Sequence, residues 1–181
     1  MTATTQNTQR YSIDPAHSAA EFVIRHMVIA KVRGRFRTLT GTIDVPTGAD
    51  VPSTVAVEIE VDSIDTHEDQ RDGHLKSPDF LDAAKYPKIT FASTGVSGSG
   101  PAFKLTGDLT IHGVTRSVII DAEYEGRGKD PWGNERIGYS GHTTINRKDY
   151  GLSWNQSLET GGVLVGEEVR IELTVEAIKA P

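Results

Sequence analysis

The sequence contains no cysteine, and this absence excludes disulfide bonds, thiol nucleophiles and thiolate metal sites. Aromatic residues make up only 7% of the chain, and hydrophobic residues make up 36%, which is below the usual share of a globular domain. No stretch approaches the roughly 18 consecutive apolar residues of a membrane-spanning helix. A core built from so few apolar residues is lean, which is typical of a protein that encloses a void but also of many ordinary β proteins.

Basic residues are also scarce, because 19 Lys and Arg stand against 25 Asp and Glu, and the net charge is −6. Nucleic-acid binding needs a net basic footprint, so we expect no nucleic-acid partner. The first residues read MTATTQNTQ and carry neither a basic n-region nor an apolar run. The sequence therefore predicts no secretory signal and a cytoplasmic location. We interpret residues 1–10 as a disordered polar tail and residues 11–181 as one domain.

Alternation of apolar and polar residues with a period of two dominates the domain and indicates antiparallel strands with one buried face. The clearest cases are residues 55–61, 118–124 and 169–175. The long stretch from Lys31 to Val45 changes parity, because Phe36 and Ile43 should both face inward although one number is even and the other odd. This change predicts a β-bulge near Leu39–Gly41.

One segment, residues 67–85, breaks the alternation and is rich in charged residues and helix formers. It predicts a short helix around Glu68–Lys76 and a further turn around Asp79–Ala84. About eight strands with one helical insertion favour an all-β fold, an eight-stranded antiparallel barrel with the insertion over one end. A barrel of this size is either filled by side chains or holds one elongated apolar ligand.

The patterns of known catalytic sites fail. The nucleophile-elbow, dinucleotide-loop and calcium-loop patterns each lack a required glycine, so we predict no enzymatic activity and no cofactor. A cluster of His67, Asp69, Asp72 and His74 could hold a divalent metal, but its two histidines are seven positions apart rather than three or four. We favour a solvated helix edge with capping carboxylates, and we keep a metal-dependent enzyme as an alternative.

Two groups of arginines could meet an anionic ligand. Five basic residues and no acidic residue lie between Arg25 and Arg37, and Arg33, Arg35 and Arg37 share the strand face opposite Phe36. If Phe36 points inward, these arginines point outward and steer anionic headgroups or contact a membrane surface.

Arg147 shares the inward parity of Ile137, Tyr139 and Ile145, and its strand ends two residues before Asp149. It forms either a partly buried pair with Asp149 or a binding group for an anionic headgroup that Asp149 orients.

From Tyr11 to about Ile178 the chain resembles the YceI-like, polyisoprenoid-binding lipocalin-like proteins. The resemblance is carried by a set of short segments in a fixed order: DPAHS at 14–18, FVIRH at 22–26, GRF at 34–36, SIDT at 63–66, DGHLKSPDF at 72–80, YPKITF at 86–91, GDLTIHGVT at 107–115 and RKDYGL at 147–152. It implies an extended eight-stranded antiparallel lipocalin-like barrel whose apolar tunnel holds a polyisoprenoid or another long-chain amphiphile. Some members are dimers and many are exported, whereas this chain shows no signal peptide.

We therefore predict a non-catalytic carrier of a long-chain apolar molecule, an isoprenoid lipid or a quinone. A barrel filled by side chains, acting as an interaction module, is the other alternative. Transient contact with a membrane surface and a homodimer are further expectations. The predicted ligand-binding residues are those expected to face the interior: Phe22, Ile24, Phe36, Ile43, Val57, Ile59, Phe91, Leu105, Leu109, Tyr139 and Arg147.

Overall fold

The protein is described by a computed structural model that covers residues 7–181. In this part of the chain eleven strands, one α-helix and three short 3₁₀ turns follow one another. The strands are β1 (Thr8–Ile13), β2 (Ala19–His26), β3 (Ala30–Phe36), β4 (Leu39–Pro46), β5 (Thr54–Glu60), β6 (Ile64–Asp65), β7 (Lys88–Ser97), β8 (Ala102–Ile111), β9 (Val114–Lys129), β10 (Glu135–Asn146) and β11 (Val165–Lys179). The helix α1 spans Asp69–Lys76.

All strands belong to one sheet, and β1 pairs with both β4 and β11, which closes the sheet into a ring. The ring contains β1, β4, β5, β7, β8, β9, β10 and β11, and every pairing is antiparallel. The remaining strands β2, β3 and β6 extend the wall beyond β1, β4 and β5. The predicted all-β, eight-stranded antiparallel barrel with a short helical insertion is confirmed.

The first strand begins earlier than the predicted domain boundary. Thr8 to Arg10 pair with Asp44 to Pro46 of β4, and the Arg10 guanidinium forms an ion pair with the Asp44 carboxylate at 2.7 Å. These residues were expected in a disordered tail, and that expectation is wrong for them because their backbone completes the ladder that closes the barrel. The Asn7 carbonyl accepts a hydrogen bond from Thr47 N at 2.8 Å, and residues 1–6 of the expected tail lie outside the described residues.

The parity change between β3 and β4 does not come from a bulge at Leu39–Gly41, where pairing with β5 is regular. It comes from a break at Arg37 and Thr38. Arg37 lies just after the end of β3, and its guanidinium donates two hydrogen bonds to Asp65 Oδ2, at 2.7 and 3.0 Å. The break therefore turns Leu39, which is 1% exposed, into the interior.

The helix α1 lies within one residue of its predicted bounds. The Glu68 carboxylate caps its N-terminus by accepting hydrogen bonds from the backbone N–H groups of Gln70 and Arg71, as expected for an N-cap acceptor. Hydrogen-bonded turns follow over residues 78–85, as the sequence predicts. No helix within residues 7–181 has both the length and the apolar character needed to cross a membrane.

The antiparallel order places the connections at two opposite ends of the barrel. The end called the mouth carries the turn at 27–29, α1 with its following turns, the turn at 112–113 and the segment 147–164. The other end, called the floor, carries the turns at 47–53, 98–101 and 130–134. Because the strands run between these ends, inward-facing side chains line one continuous interior.

Candidate ligand-binding cavity

The barrel encloses a cavity of about 600 Å³. This volume lies within the range of about 300–1,000 Å³ that is usual for small-molecule sites. The wall consists mainly of aliphatic and aromatic side chains contributed by alternate residues of the strands. The interior is therefore open, and the alternative of a barrel filled by side chains is wrong.

All predicted ligand-binding residues line this cavity: Phe22, Ile24, Phe36, Ile43, Val57, Ile59, Phe91, Leu105, Leu109, Tyr139 and Arg147. Ile43, Phe91, Leu105, Leu109 and Tyr139 are buried against the barrel core, whereas the other apolar members are only half-buried. The half-buried side chains face inward but border empty space. Whether a ligand contacts these residues stays a prediction.

Two glycines make room for aromatic rings on the wall. A Cβ atom at Gly34 would lie 2.3 Å from Cζ of Phe22, and a Cβ atom at Gly107 would lie 2.3 Å from Cζ of Phe91. Each ring therefore packs directly against the backbone of a neighbouring strand, where only glycine permits such a close approach. The Phe22 ring also contacts the Phe36 ring, with centroids 5.8 Å apart.

Residues 47–53 close the floor of the cavity. The Tyr139 hydroxyl donates a hydrogen bond to the Asp50 carbonyl at 2.7 Å. From outside the cavity wall, the Arg127 guanidinium donates to the Ala49 carbonyl at 2.6 Å and to the Asp50 carboxylate at 2.9 Å. Burial raises the pKa of Tyr139 above its usual range, so the hydroxyl stays protonated and remains a donor. The connection from β4 to β5 is thus held against the barrel by groups of β9 and β10.

An aromatic cluster borders the mouth. The imidazole of His74 on α1 packs against the rings of Phe80 and Trp154, with centroid distances of 5.0 and 4.7 Å, and these two rings contact each other at 5.2 Å. His74 Nε2 lies 2.9 Å from the Asp79 carboxylate. All three aromatic residues line the cavity, together with Leu75. The helical insertion therefore contributes to the end of the cavity, as predicted. The sequence pattern did not indicate that Trp154 also lines this end.

Arg147 is 2% exposed and binds backbone carbonyls rather than a carboxylate. Its guanidinium donates to the carbonyls of Leu152 and Trp154 at 2.5 and 2.9 Å. It also donates to those of Val165 and Gly166 at 3.3 and 2.7 Å. These acceptors lie on the mouth segment and on the irregular start of β11, where the register against β2 shifts. Arg147 therefore holds the mouth segment on the barrel.

The predicted partnership of Arg147 with Asp149 is wrong, because none of the hydrogen bonds or ion pairs between described residues joins them and Asp149 is exposed. Asp149 falls in a 3₁₀ turn that begins at Arg147. Desolvation lowers the pKa of Arg147, with Glu167 as an opposing, weaker influence. A guanidinium remains charged in spite of such a shift. The cavity wall thus carries a positive charge that no carboxylate of residues 7–181 contacts directly.

The side chains of the alternative metal cluster do not share one site. The Asp72 carboxylate accepts hydrogen bonds from the backbone and the hydroxyl of Thr66. His67 is exposed, while His74 packs in the aromatic cluster. Within residues 7–181 the group of potential metal ligands that do converge is Asp14, His17 and Glu176.

That second group surrounds an arginine. The Arg136 guanidinium donates to Asp14 at 2.8 Å, to Glu176 at 2.6 Å and to Asp130 at 2.8 Å. His17 Nδ1 lies 2.8 Å from Asp14 Oδ2, the same oxygen that accepts from Arg136. Arg136 thus already supplies the positive charge that a metal ion would bring to these carboxylates, and the group serves as an ion-pair network near the floor.

A closed antiparallel barrel around an apolar cavity defines a binding protein of the lipocalin-like class. The YceI-like domain matches residues 11–177, and the chain belongs to this family. A UPF0312 protein of Staphylococcus aureus is 40% identical over 171 residues, which are 92% of this chain and 95% of the relative. A UPF0312 protein of Pseudomonas syringae pv. tomato is 40% identical over 137 residues, covering 75% of this chain and 71% of the relative.

Solved structures share the architecture. The YCEI protein of Campylobacter jejuni matches with a TM-score of 0.76 and 31% identity over 87% of this chain and 90% of its own. BcnA of Burkholderia cenocepacia matches with a TM-score of 0.77 and 22% identity over 91% and 99%. A polyisoprenoid binding domain from Saccharophagus degradans matches with a TM-score of 0.71 and 18% identity over 94% and 98%. At such low identity the last two similarities concern the fold alone.

Proposed function

We propose that the protein binds and carries a long-chain apolar molecule, an isoprenoid lipid or a quinone, with its chain inside the barrel. The observation that carries this proposal is the apolar cavity of about 600 Å³ that runs from Tyr139 near the floor to Trp154 at the mouth. The polyisoprenoid binding described for the Saccharophagus degradans domain of the same fold is consistent with it.

The chemistry of the wall suits such a ligand. An isoprenoid chain offers few polar groups, so its affinity must come from the burial of apolar surface, at about 25 cal/mol per Å² or roughly 0.8 kcal/mol per methylene. Most polar side chains with ionisable groups that line the cavity stand at the mouth, namely Arg25, His26, Glu68, Arg71, His74 and Arg147. A chain therefore enters the apolar interior while a polar headgroup stays near the charged end.

Binding of this kind requires no reacting group, and we propose a non-catalytic role. The cytoplasmic location and the homodimer expected from the sequence and the family resemblance stay predictions, which cell fractionation and analytical ultracentrifugation would test.

The direct experiment is native mass spectrometry of freshly purified protein, followed by solvent extraction of whatever it carries. We expect a bound long-chain lipid or quinone in a one-to-one complex. Titration with quinones of increasing side-chain length should show affinity that rises with length and levels off when the cavity is full. Affinity that does not depend on chain length would contradict the proposal.

A pair of neighbouring residues offers a matched control. Val118 lines the cavity, whereas Ile119 is 53% exposed and lies outside the wall. Val118→Trp should fill part of the cavity and reduce the affinity for a long-chain quinone at least tenfold. Ile119→Trp adds the same bulk outside and should leave the affinity unchanged. Equal binding by the two variants would place the ligand outside the cavity.

A further inference from the structure

The turn between β2 and β3 exposes three consecutive apolar residues at the mouth, and we call these residues, Met27–Ile29, the mouth tip. Their exposed fractions are 41% for Met27, 59% for Val28 and 84% for Ile29. Val163, 39% exposed, lies on the segment to which the tip is hydrogen-bonded, because Met27 N donates to the Leu164 carbonyl at 2.8 Å. Burial of apolar surface therefore does not explain why these side chains are apolar.

The backbone of the mouth tip is unfavourable for the residues that it carries. Met27 and Val28 have φ angles of 52° and 65°, in the left-handed region that favours glycine. A β-branched residue such as Val28 is a rare occupant of this region, and such strain concentrates at functional positions. The local sequence thus presents large apolar side chains where a glycine-containing turn would be easier to form.

Basic residues lie on the two strands that flank the mouth tip. Arg25, Lys31 and Arg33 are exposed, and none of the ion pairs formed within residues 7–181 involves them. Arg25 and Lys31 are directly paired across the β2–β3 hairpin, and the Arg25 guanidinium reaches the Val28 carbonyl at 3.5 Å. This local positive surface contrasts with the net charge of −6 of the whole chain.

We propose that the mouth tip inserts into the surface of an anionic phospholipid bilayer, with Arg25, Lys31 and Arg33 against the headgroups. Apolar side chains that enter the interface, beside cations that contact anionic lipids, are the usual elements of reversible membrane association. The position of the tip matters, because Arg25, His26 and Leu164 border the cavity as well. Docking therefore brings the mouth to the lipid, and the inference rests on the proposed function in that the bilayer is the source or destination of the ligand.

Charge favours a bilayer over a second copy of the chain. In a two-fold dimer built on this surface, the same patch meets itself, so the three cations of one copy would face those of the other. Like charges in such an arrangement oppose association, whereas anionic lipid headgroups complement them.

The test measures co-sedimentation with phosphatidylcholine vesicles prepared with or without phosphatidylglycerol. The wild-type protein should bind the anionic vesicles and lose this binding as salt rises, since salt screens exposed charges. The double variant Val28→Ser and Ile29→Ser should lower the partition coefficient at least tenfold. The triple change of Arg25, Lys31 and Arg33 to Gln should lower it by roughly tenfold or more and remove most of the preference for phosphatidylglycerol.

The opposite end of the barrel supplies the control. Trp132, 81% exposed, lies on the turn at 130–134 and belongs to the floor end. Trp132→Ser removes a comparable apolar surface and should not change vesicle binding. Equal losses for Trp132→Ser and the tip variant, or no binding of the wild-type protein to anionic vesicles, would overturn the proposal. A wild-type dimer that dissociates in the tip variant, without vesicle binding, would overturn it in favour of self-association.

Quinone binding in vesicle-free solution separates this inference from the proposed function. The tip variant should keep wild-type affinity for a soluble short-chain quinone, because the cavity wall is unchanged. If this affinity is absent already in the wild-type protein, the proposed function fails, and the vesicle result still decides membrane docking.

Discussion

The hydroxyl of Tyr139 and the carbonyl of Asp50, which belong to positions 89 residues apart, are joined by a 2.7 Å hydrogen bond at the floor of the cavity. This contact anchors the β4–β5 connection on a strand from the other half of the chain. It makes Tyr139 both a wall residue and part of the closure of the floor.

Tyr139→Phe should test this closure. Loss of the hydroxyl removes one hydrogen bond from a buried ring and should lower the free energy of unfolding by about 1 kcal/mol. Amide hydrogen exchange should rise selectively in residues 47–53. Tyr86→Phe is the control, because within residues 7–181 the Tyr86 hydroxyl makes no hydrogen bond. Equal effects of the two changes in urea denaturation would contradict a specific role of the Tyr139–Asp50 contact.

Arg147→Met should destabilise the protein strongly. The change removes the guanidinium donor from the carbonyls of Leu152, Trp154 and Gly166, whereas the Val165 carbonyl keeps the hydrogen bond from the Asn155 amide. Unsatisfied buried acceptors cost about 1–3 kcal/mol each unless water reaches them. We expect a loss of about 3 kcal/mol in the free energy of unfolding.

The control for that loss is Arg170→Met. Arg170 is an exposed arginine of β11 in an ion pair with Glu172, and its removal should cost less than about 1 kcal/mol. A comparable, small loss for both variants in urea denaturation would show that the Arg147 contacts contribute little to stability.

Arg147 should also discriminate between headgroups. Among the residues that the structure describes, no carboxylate contacts its buried charge, and a ligand with an anionic headgroup near the mouth would complement it. Arg147→Ala should therefore weaken the binding of a diphosphate-headed isoprenoid more than that of a neutral quinone of equal chain length. The comparison is made by titration under conditions where circular dichroism shows both proteins folded. Equal losses for the two ligands would identify Arg147 as a purely structural residue.

The network around Arg136 predicts a dependence of stability on pH. Hydrogen bonds from Arg136, and secondarily from His17, lower the pKa of Asp14 to about 2. An aspartate in an unfolded chain has a pKa of about 3.9. Because the folded-state pKa is the lower one, the stabilisation is fully present above the unfolded-state pKa. It is lost as pH falls from about 4 to about 2.

Arg136→Gln should therefore reduce stability at neutral pH and should lose much of that difference in acid. The measurement is the free energy of unfolding of the wild-type protein and of Arg136→Gln, obtained by urea denaturation at neutral pH and again at a pH near the folded-state pKa of Asp14. A difference between the two proteins that stays constant over this range would show that the network does not couple to proton binding.

The cavity wall was the most predictable part of the site. In a strand, every second residue lies on the same face. A single inward residue such as Phe22 or Leu105 therefore predicts which other residues of its strand face the interior. Residue parity no longer indicates the inward face where the backbone breaks. Arg37 has the parity of an outward residue, but it lies at the break after β3 and binds Asp65, so only Arg33 and Arg35 remain on the strand face.

The mouth was the least predictable part, because its contacts join irregular segments that have no hydrophobic periodicity in the sequence. Trp154 lies in an irregular segment and reaches His74 of α1 from a position 80 residues further along the chain. The partners of Arg147 are backbone carbonyls, which carry no side-chain signature in the sequence. The predicted contact between Arg147 and Asp149 does not form, because closeness in sequence does not bring two side chains together in a 3₁₀ turn.

The amino-acid sequence by itself determined the strands, the inward faces and the short helix, because hydrophobic periodicity and helix capping are local properties. Only the tertiary structure decided that the interior is open, since the void depends on how β1 meets β4 and β11 and on which side chains reach across the ring. It also decided that Arg147 serves the mouth segment, because a buried guanidinium binds whatever acceptors the closed fold brings to it.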